Sequence, residues 1–209
     1  MGATVASLSM RGIPVRLLDL TNGEPTPFGS PEIRKVESQK SASMLGAERI
    51  TLDMPNRFLE DTIENRKKIA TEIRAFRPDY VFAPYALDAH PDHVAANKLV
   101  VAARFYAKLS KSDIPGEPWF PSRVVFYFPV HVRLRMNPSF LSDVSHTIDR
   151  KEQAIRCYES QFIKSGKESF IENVIIENKY WGFQGGCAAA EPFYQEEVPV
   201  FQNWPEGYK

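Results

Sequence analysis

Asp79-Tyr80-Val81-Phe82-Ala83-Pro84 decides the fold, because of what lies on either side of it. Tyr80 to Pro84 is a short apolar run of the kind that forms a strand buried on both faces. Before it, Ile63, Ile69, Ile73 and Phe76 recur at helical spacing and stop short of Pro78; after it, Val94, Leu99, Val100 and Ala103 do the same. Helix, strand, helix is the repeating unit of a sheet whose parallel neighbours are joined by crossovers. Toward the N-terminus, Val5, Leu8 and Ser9 mark a short helix that Gly12 can end, and Ile13 to Leu18 reads as a strand. Ser30-Pro31-Glu32 supplies an N-cap, a first-turn proline and an acidic residue at the positive helix end, so a helix runs from there to Gly46, followed by a short strand at Ile50-Thr51-Leu52. Toward the C-terminus, the Pro- and Gly-rich stretch Ser112 to Ser122 is a loop and Val124 to Phe128 a strand. One helix is predicted over Ser145 to Phe162, another over Ser169 to Lys179, and irregular chain from Gly182 on. The predicted class is α/β: a Rossmann-like, mostly parallel sheet with helices on both faces, in one domain over residues 1–209. A fold built of strand then helix that here opens on a helix feeding a strand is expected to lack its first strand.

Composition narrows the partners. The 209 residues carry 26 basic and 26 acidic side chains and no basic stripe, which argues against nucleic acid and for a small substrate. Cys157 and Cys187 are too few for a disulfide framework and lack metal-type spacing, which suits a reducing, cytoplasmic setting. No run approaches the roughly 18 apolar residues of a membrane span, so no membrane partner is expected.

Just past the decisive strand comes Asp88-Ala89-His90-Pro91-Asp92-His93, with two of the chain's four histidines. Ligands of open α/β sheets bind beyond the carboxyl ends of the strands, so this loop is the prime candidate site. Both histidines can be metal ligands, or one can bind metal while the other acts as an acid or oxyanion stabiliser, with Asp92 or Asp88 orienting an imidazole. The plainer alternative is a solvated loop that caps the next helix, with Asp92 at its N-terminus. His131 follows the strand ending at Phe128 and can reach the same face, whereas His146 reads as a helix start. Arg34 and Glu37 stand one helical turn apart, where an ion pair is the ordinary explanation, and Asn22-Gly23-Glu24 is a plain turn.

An ordered set of motifs carries a resemblance. Leu20-Thr21-Asn22-Gly23-Glu24, Ile33-Arg34-Lys35-Val36-Glu37, Met44-Leu45-Gly46, Leu52-Asp53-Met54-Pro55-Asn56-Arg57, Arg77-Pro78-Asp79, His90-Pro91-Asp92-His93 and Ala154-Ile155-Arg156-Cys157-Tyr158-Glu159-Ser160-Gln161-Phe162 together resemble the LmbE/PIG-L family of zinc-dependent de-N-acetylases. Leu-Asp-Met-Pro and Phe82-Ala83-Pro84-Tyr85 are similar to its bacillithiol-biosynthesis branch, which deacetylates N-acetylglucosaminyl-malate. The resemblance implies a Zn2+ cofactor, an N-acetylated sugar conjugate as substrate and a homo-oligomer. It also implies His93 as metal ligand and His90 as the imidazolium that stabilises the oxyanion. Asp92 then tunes His90, and Arg34 holds sugar hydroxyls; His131 is taken as a second substrate-binding residue from its place after the strand ending at Phe128. The family's His-Pro-Asp-Asp motif, source of further ligands and the general base, does not occur in these residues. The chain is therefore expected to be weak or inactive as a deacetylase; the alternative is a degenerate, non-catalytic sugar-binding member.

Overall fold

The computed structural model describes residues 1–129 and 137–198. Its elements run α1 (Gly2–Met10), β1 (Arg16–Asp19), α2 (Pro31–Leu45), β2 (Glu48–Thr51), α3 (Ile63–Phe76), β3 (Tyr80–Pro84), α4 (Pro91–Ala107), β4 (Arg123–Tyr127), β5 (Phe140–Asp143), α5 (Ile148–Arg156), α6 (Glu159–Phe162), α7 (Glu168–Gly185) and β6 (Ala190–Tyr194). The α/β class is as expected. β1 and β2 pair in parallel, as do β3 and β4. β6 joins β4 antiparallel and β5 closes on β6, giving the order β3-β4-β6-β5. The β1-β2 pair forms a sheet of its own, not hydrogen-bonded to the larger one.

Local chemistry sets the helix boundaries. The Ser30 hydroxyl accepts the Ile33 N–H at 3.2 Å at the start of α2, and Gly46 ends it in the left-handed conformation with φ 70°. Thr62 caps α3 through the Asn65 N–H, and α3 stops at Arg77, ahead of Pro78. Helices cover both faces of β1, because successive side chains of a strand point to opposite sides. Leu17 packs on the cluster of Val5, Ala6, Leu45 and Ala154 from α1, α2 and α5. Leu18 packs on that of Ile69, Ala70, Ile73, Leu99 and Ala103 from α3 and α4.

Two expectations are corrected. The helix predicted over Ser145 to Phe162 is broken: α5 ends at Arg156, and α6 resumes at Glu159. The buried Glu37 carboxylate of α2 captures the second piece, accepting the Ser160 N–H at 2.6 Å and its hydroxyl at 2.8 Å. The tail is not irregular from Gly182. There α7 continues to Gly185, and β6 follows as a strand whose Glu191 carboxylate, 2% exposed, accepts the Thr4 N–H at 2.8 Å and faces Lys151 Nζ at 2.6 Å. No described helix is long and apolar enough to cross a membrane.

Candidate active site

The loop after β3 is built around one carboxylate. The Asp88 side chain is fully buried; its Oδ1 accepts the His90 N–H at 2.8 Å, and its Oδ2 lies 2.6 Å from His93 Nδ1. His90 is the N-cap of α4, its Nδ1 accepting the Asp92 N–H at 3.2 Å, and Pro91 opens the first turn, where its missing N–H costs nothing. The two imidazoles stack, with centroids 4.7 Å apart and planes 19° from parallel. Asn97 of α4 donates to the Pro84 carbonyl at 2.8 Å and pins the helix to the end of β3. His93 keeps 36% of its side chain exposed, so a ring anchored on a buried charge still faces solvent.

Asp92 does a different job from the one its position suggests. Its carboxylate accepts the N–H groups of Arg57 at 2.6 Å and Leu59 at 3.3 Å, tying down the loop between β2 and α3. Arg57 sits there at φ 69°, and its guanidinium donates to the Pro25 carbonyl at 2.6 Å, while Asn56 donates to the Glu24 carbonyl at 3.1 Å. The loops that follow β1, β2 and β3 thus meet at the carboxyl ends of their parallel strands. The carboxylate that touches an imidazole is Asp88.

Arg34 and Glu37 do not form the expected helical pair. Glu37 is engaged with Ser160, and Arg34 is turned back onto the buried Glu24, Nε and Nη2 each 3.0 Å from Oε1, with the Tyr158 ring 5.5 Å away. Glu24 also accepts the Thr26 N–H at 2.6 Å, so the segment read as a plain turn is an anchor for Arg34. His146 is exposed in the turn before α5, and His131 lies outside the described residues.

Two residues at the carboxyl ends of β1 and β4 escaped the sequence reading. Asp19, the last residue of β1, holds Arg49 through bonds of 2.6 and 2.8 Å. Tyr127, the last residue of β4, has its phenol pushed up to about 12 by burial first and then by the carboxylates of Asp19 and Asp88. A polar residue closing an apolar strand was the available signal for both.

Residues 1–104 match the model of the GlcNAc-PI de-N-acetylase family, PIG-L. The chain is 32% identical over 207 residues to the diacetylchitobiose deacetylase of Thermococcus kodakarensis, covering 91% of this chain and 75% of that protein. Among solved structures, the conserved protein TT1542 of Thermus thermophilus is 37% identical, with a TM-score of 0.90 over 99% of this chain and 92% of its own. GalB, the 4-carboxy-2-hydroxymuconate hydratase of Pseudomonas putida, superposes with a TM-score of 0.82 at 18% identity, over 98% of this chain and 92% of that one. At that distance the likeness is one of fold.

Proposed function

The chain belongs to the PIG-L family of de-N-acetylases, and from that premise we propose that it hydrolyses the acetamide of an N-acetylglucosaminyl conjugate, releasing acetate and a free amine. The observation that carries this reading is the stacked His90 and His93 pair, anchored at the start of α4 beyond the end of β3, in a chain 32% identical to a diacetylchitobiose deacetylase. Hydrolysing an amide requires an activated water and a donor for the oxygen of the tetrahedral intermediate. His90 is proposed as the donor to that oxygen. Asp92 contributes through its backbone N–H, which orients His90, and through the loop its carboxylate holds. Arg34, fixed by Glu24, is proposed with His131 to bind sugar hydroxyls. The substrate branch we favour is N-acetylglucosaminyl-malate, on the strength of the Leu52-Asp53-Met54-Pro55 and Phe82-Ala83-Pro84-Tyr85 motifs.

Zinc, which the resemblance implies, finds one oriented nitrogen on His93. The described residues contain no group of three or more His, Cys, Asp or Glu able to hold a metal ion. A catalytic zinc site takes about three protein ligands, so these residues by themselves do not fit it. The 209-residue chain is accordingly proposed to retain zinc poorly and to turn over slowly. The same observation favours a second reading, a sugar-binding member without catalysis.

Acetate release from N-acetylglucosaminyl-malate and from diacetylchitobiose, measured beside zinc content and sugar binding, tests both readings. Acetate release that is lost in His93→Gln supports the hydrolase. Sugar binding with no acetate from either compound, with or without added zinc, replaces it with the binding protein.

A further inference from the structure

Two imidazoles stacked at 4.7 Å are held by partners of opposite kind. A carboxylate can only accept, so Oδ2 of Asp88, 2.6 Å from Nδ1 of His93, requires a proton on that nitrogen. A backbone N–H can only donate, so the Asp92 amide, 3.2 Å from Nδ1 of His90, requires a lone pair there. In a neutral ring, fixing Nδ1 fixes Nε2.

We infer that Asp88 and the first turn of α4 set the two rings in opposite tautomers, so that His93 carries a lone pair at Nε2 and His90 a proton at Nε2, with Asp88 the positioning residue for His93. The inference rests on the proposed hydrolase reading for its use, since one ring then offers an acceptor and its neighbour a donor, as water activation and oxyanion binding require. It also changes one expectation. An imidazolium at His90 would place its Nδ1 proton against the Asp92 N–H and break the cap, so the donor offered is the Nε2–H of a neutral ring.

Asp88 can be inverted with little change of shape. In Asp88→Asn, the amide oxygen keeps the His90 N–H bond made by Oδ1, and the amide nitrogen takes the place of Oδ2 opposite His93. That nitrogen donates, which forces His93 to the Nε2–H form; the triad aspartate-to-asparagine change in serine proteases acts through the same wrong-tautomer effect.

The test is long-range 1H–15N NMR of the imidazoles of the metal-free protein, at a pH where both rings are neutral, with His93→Gln and His90→Gln for assignment. The expected wild-type spectrum gives His93 a pyrrole-type Nδ1 and pyridine-type Nε2, and His90 the reverse. Asp88→Asn is expected to exchange the two shifts of His93 and leave those of His90 in place. Equal tautomers in the wild-type protein overturn the inference without any variant, and so does an Asp88→Asn spectrum in which His93 is unchanged. Because the spectrum is independent of turnover, opposite tautomers in a protein that releases no acetate would refute the hydrolase reading alone.

Discussion

Replacing Asp92 by asparagine separates two roles for that carboxylate. If Asp92 acts by tuning the His90 ring, removing its charge alters the ring and spares the fold. Its bonds argue the opposite: the carboxylate accepts the Arg57 N–H at 2.6 Å and the Leu59 N–H at 3.3 Å, while its contact with His90 runs through its own backbone N–H. In Asp92→Asn one oxygen still serves Arg57, and the amide nitrogen confronts the Leu59 N–H, donor against donor. A buried donor left without an acceptor costs about 1–3 kcal/mol, and a hydrogen bond to a charged group is worth about 1.5–3 kcal/mol net. The negative charge in the first turn of α4 adds about 0.5 kcal/mol through the helix dipole. These contributions overlap, and about 3 kcal/mol is the expected loss. For a chain of this size that lowers Tm by about 6–12 °C. The assay is urea unfolding followed by far-UV circular dichroism. A variant within about 0.5 kcal/mol of wild type, the range of ordinary surface substitutions, would refute the anchoring role.

Three further outcomes follow from named contacts. Gly182→Ala is expected to destabilise by about 1–3 kcal/mol despite the better helix propensity of alanine, because the added Cβ meets the Ala189 Cα and N at 2.6 Å, both backbone atoms that can yield only if the turn into β6 shifts; a stability gain in chemical denaturation would refute this. Burial by itself raises the Glu191 pKa, but the amino terminus, Lys151 and the Thr4 N–H outweigh it and hold the carboxyl well below the usual range. Its stabilisation is therefore present above the unfolded value near 4.5 and lost as pH falls below it, and Glu191→Gln should flatten that part of the stability–pH curve while lowering stability by about 3 kcal/mol at neutral pH. The Tyr127 phenol, with its pKa raised from 10.0 to about 12, stabilises the fold fully below pH 10.0 and progressively less up to about 12; ultraviolet titration against Tyr127→Phe should show a phenolate forming late, and one that forms at the free-tyrosine pH contradicts the geometry.

Elements that depend on local signals were legible in the chain. The Ser30 cap, Gly46, the stripe from Ile63 to Phe76 and the stop before Pro78 act within one or two turns, and the boundaries of α2 and α3 follow from them. The β6 strand was not legible for an equally physical reason. Ala190-Glu191-Pro192-Phe193-Tyr194 contains a charge and a proline, both of which argue against an interior strand. The charge becomes tolerable through contacts distant in sequence, since Glu191 meets the start of α1 and Lys151, and the proline because Pro192 lies outside the stretch paired with β4, which covers Phe193 and Tyr194. The break between α5 and α6 has the same origin, since Glu37 lies 123 residues from Ser160.

The site divides along the same line. Strand-end position and histidine count pointed to the His90 loop, but the assignment of carboxylates to imidazoles could not be read from spacing. Asp92 stands next to His93 and two residues from His90 in sequence, yet on the first turn of α4 its side chain leaves the loop and meets the segment after β2. Asp88 stands five residues from His93, and the turn through Ala89 and His90 folds it back beneath the ring at 2.6 Å. The chain reverses there because Asp88 itself caps the His90 N–H, so one buried carboxylate shapes the loop and orients the ring. A substitution at Asp88 therefore cannot be judged by activity alone. Asp88→Ala removes both bonds at once, whereas Asp88→Asn keeps the one that shapes the loop and inverts the one that orients the ring.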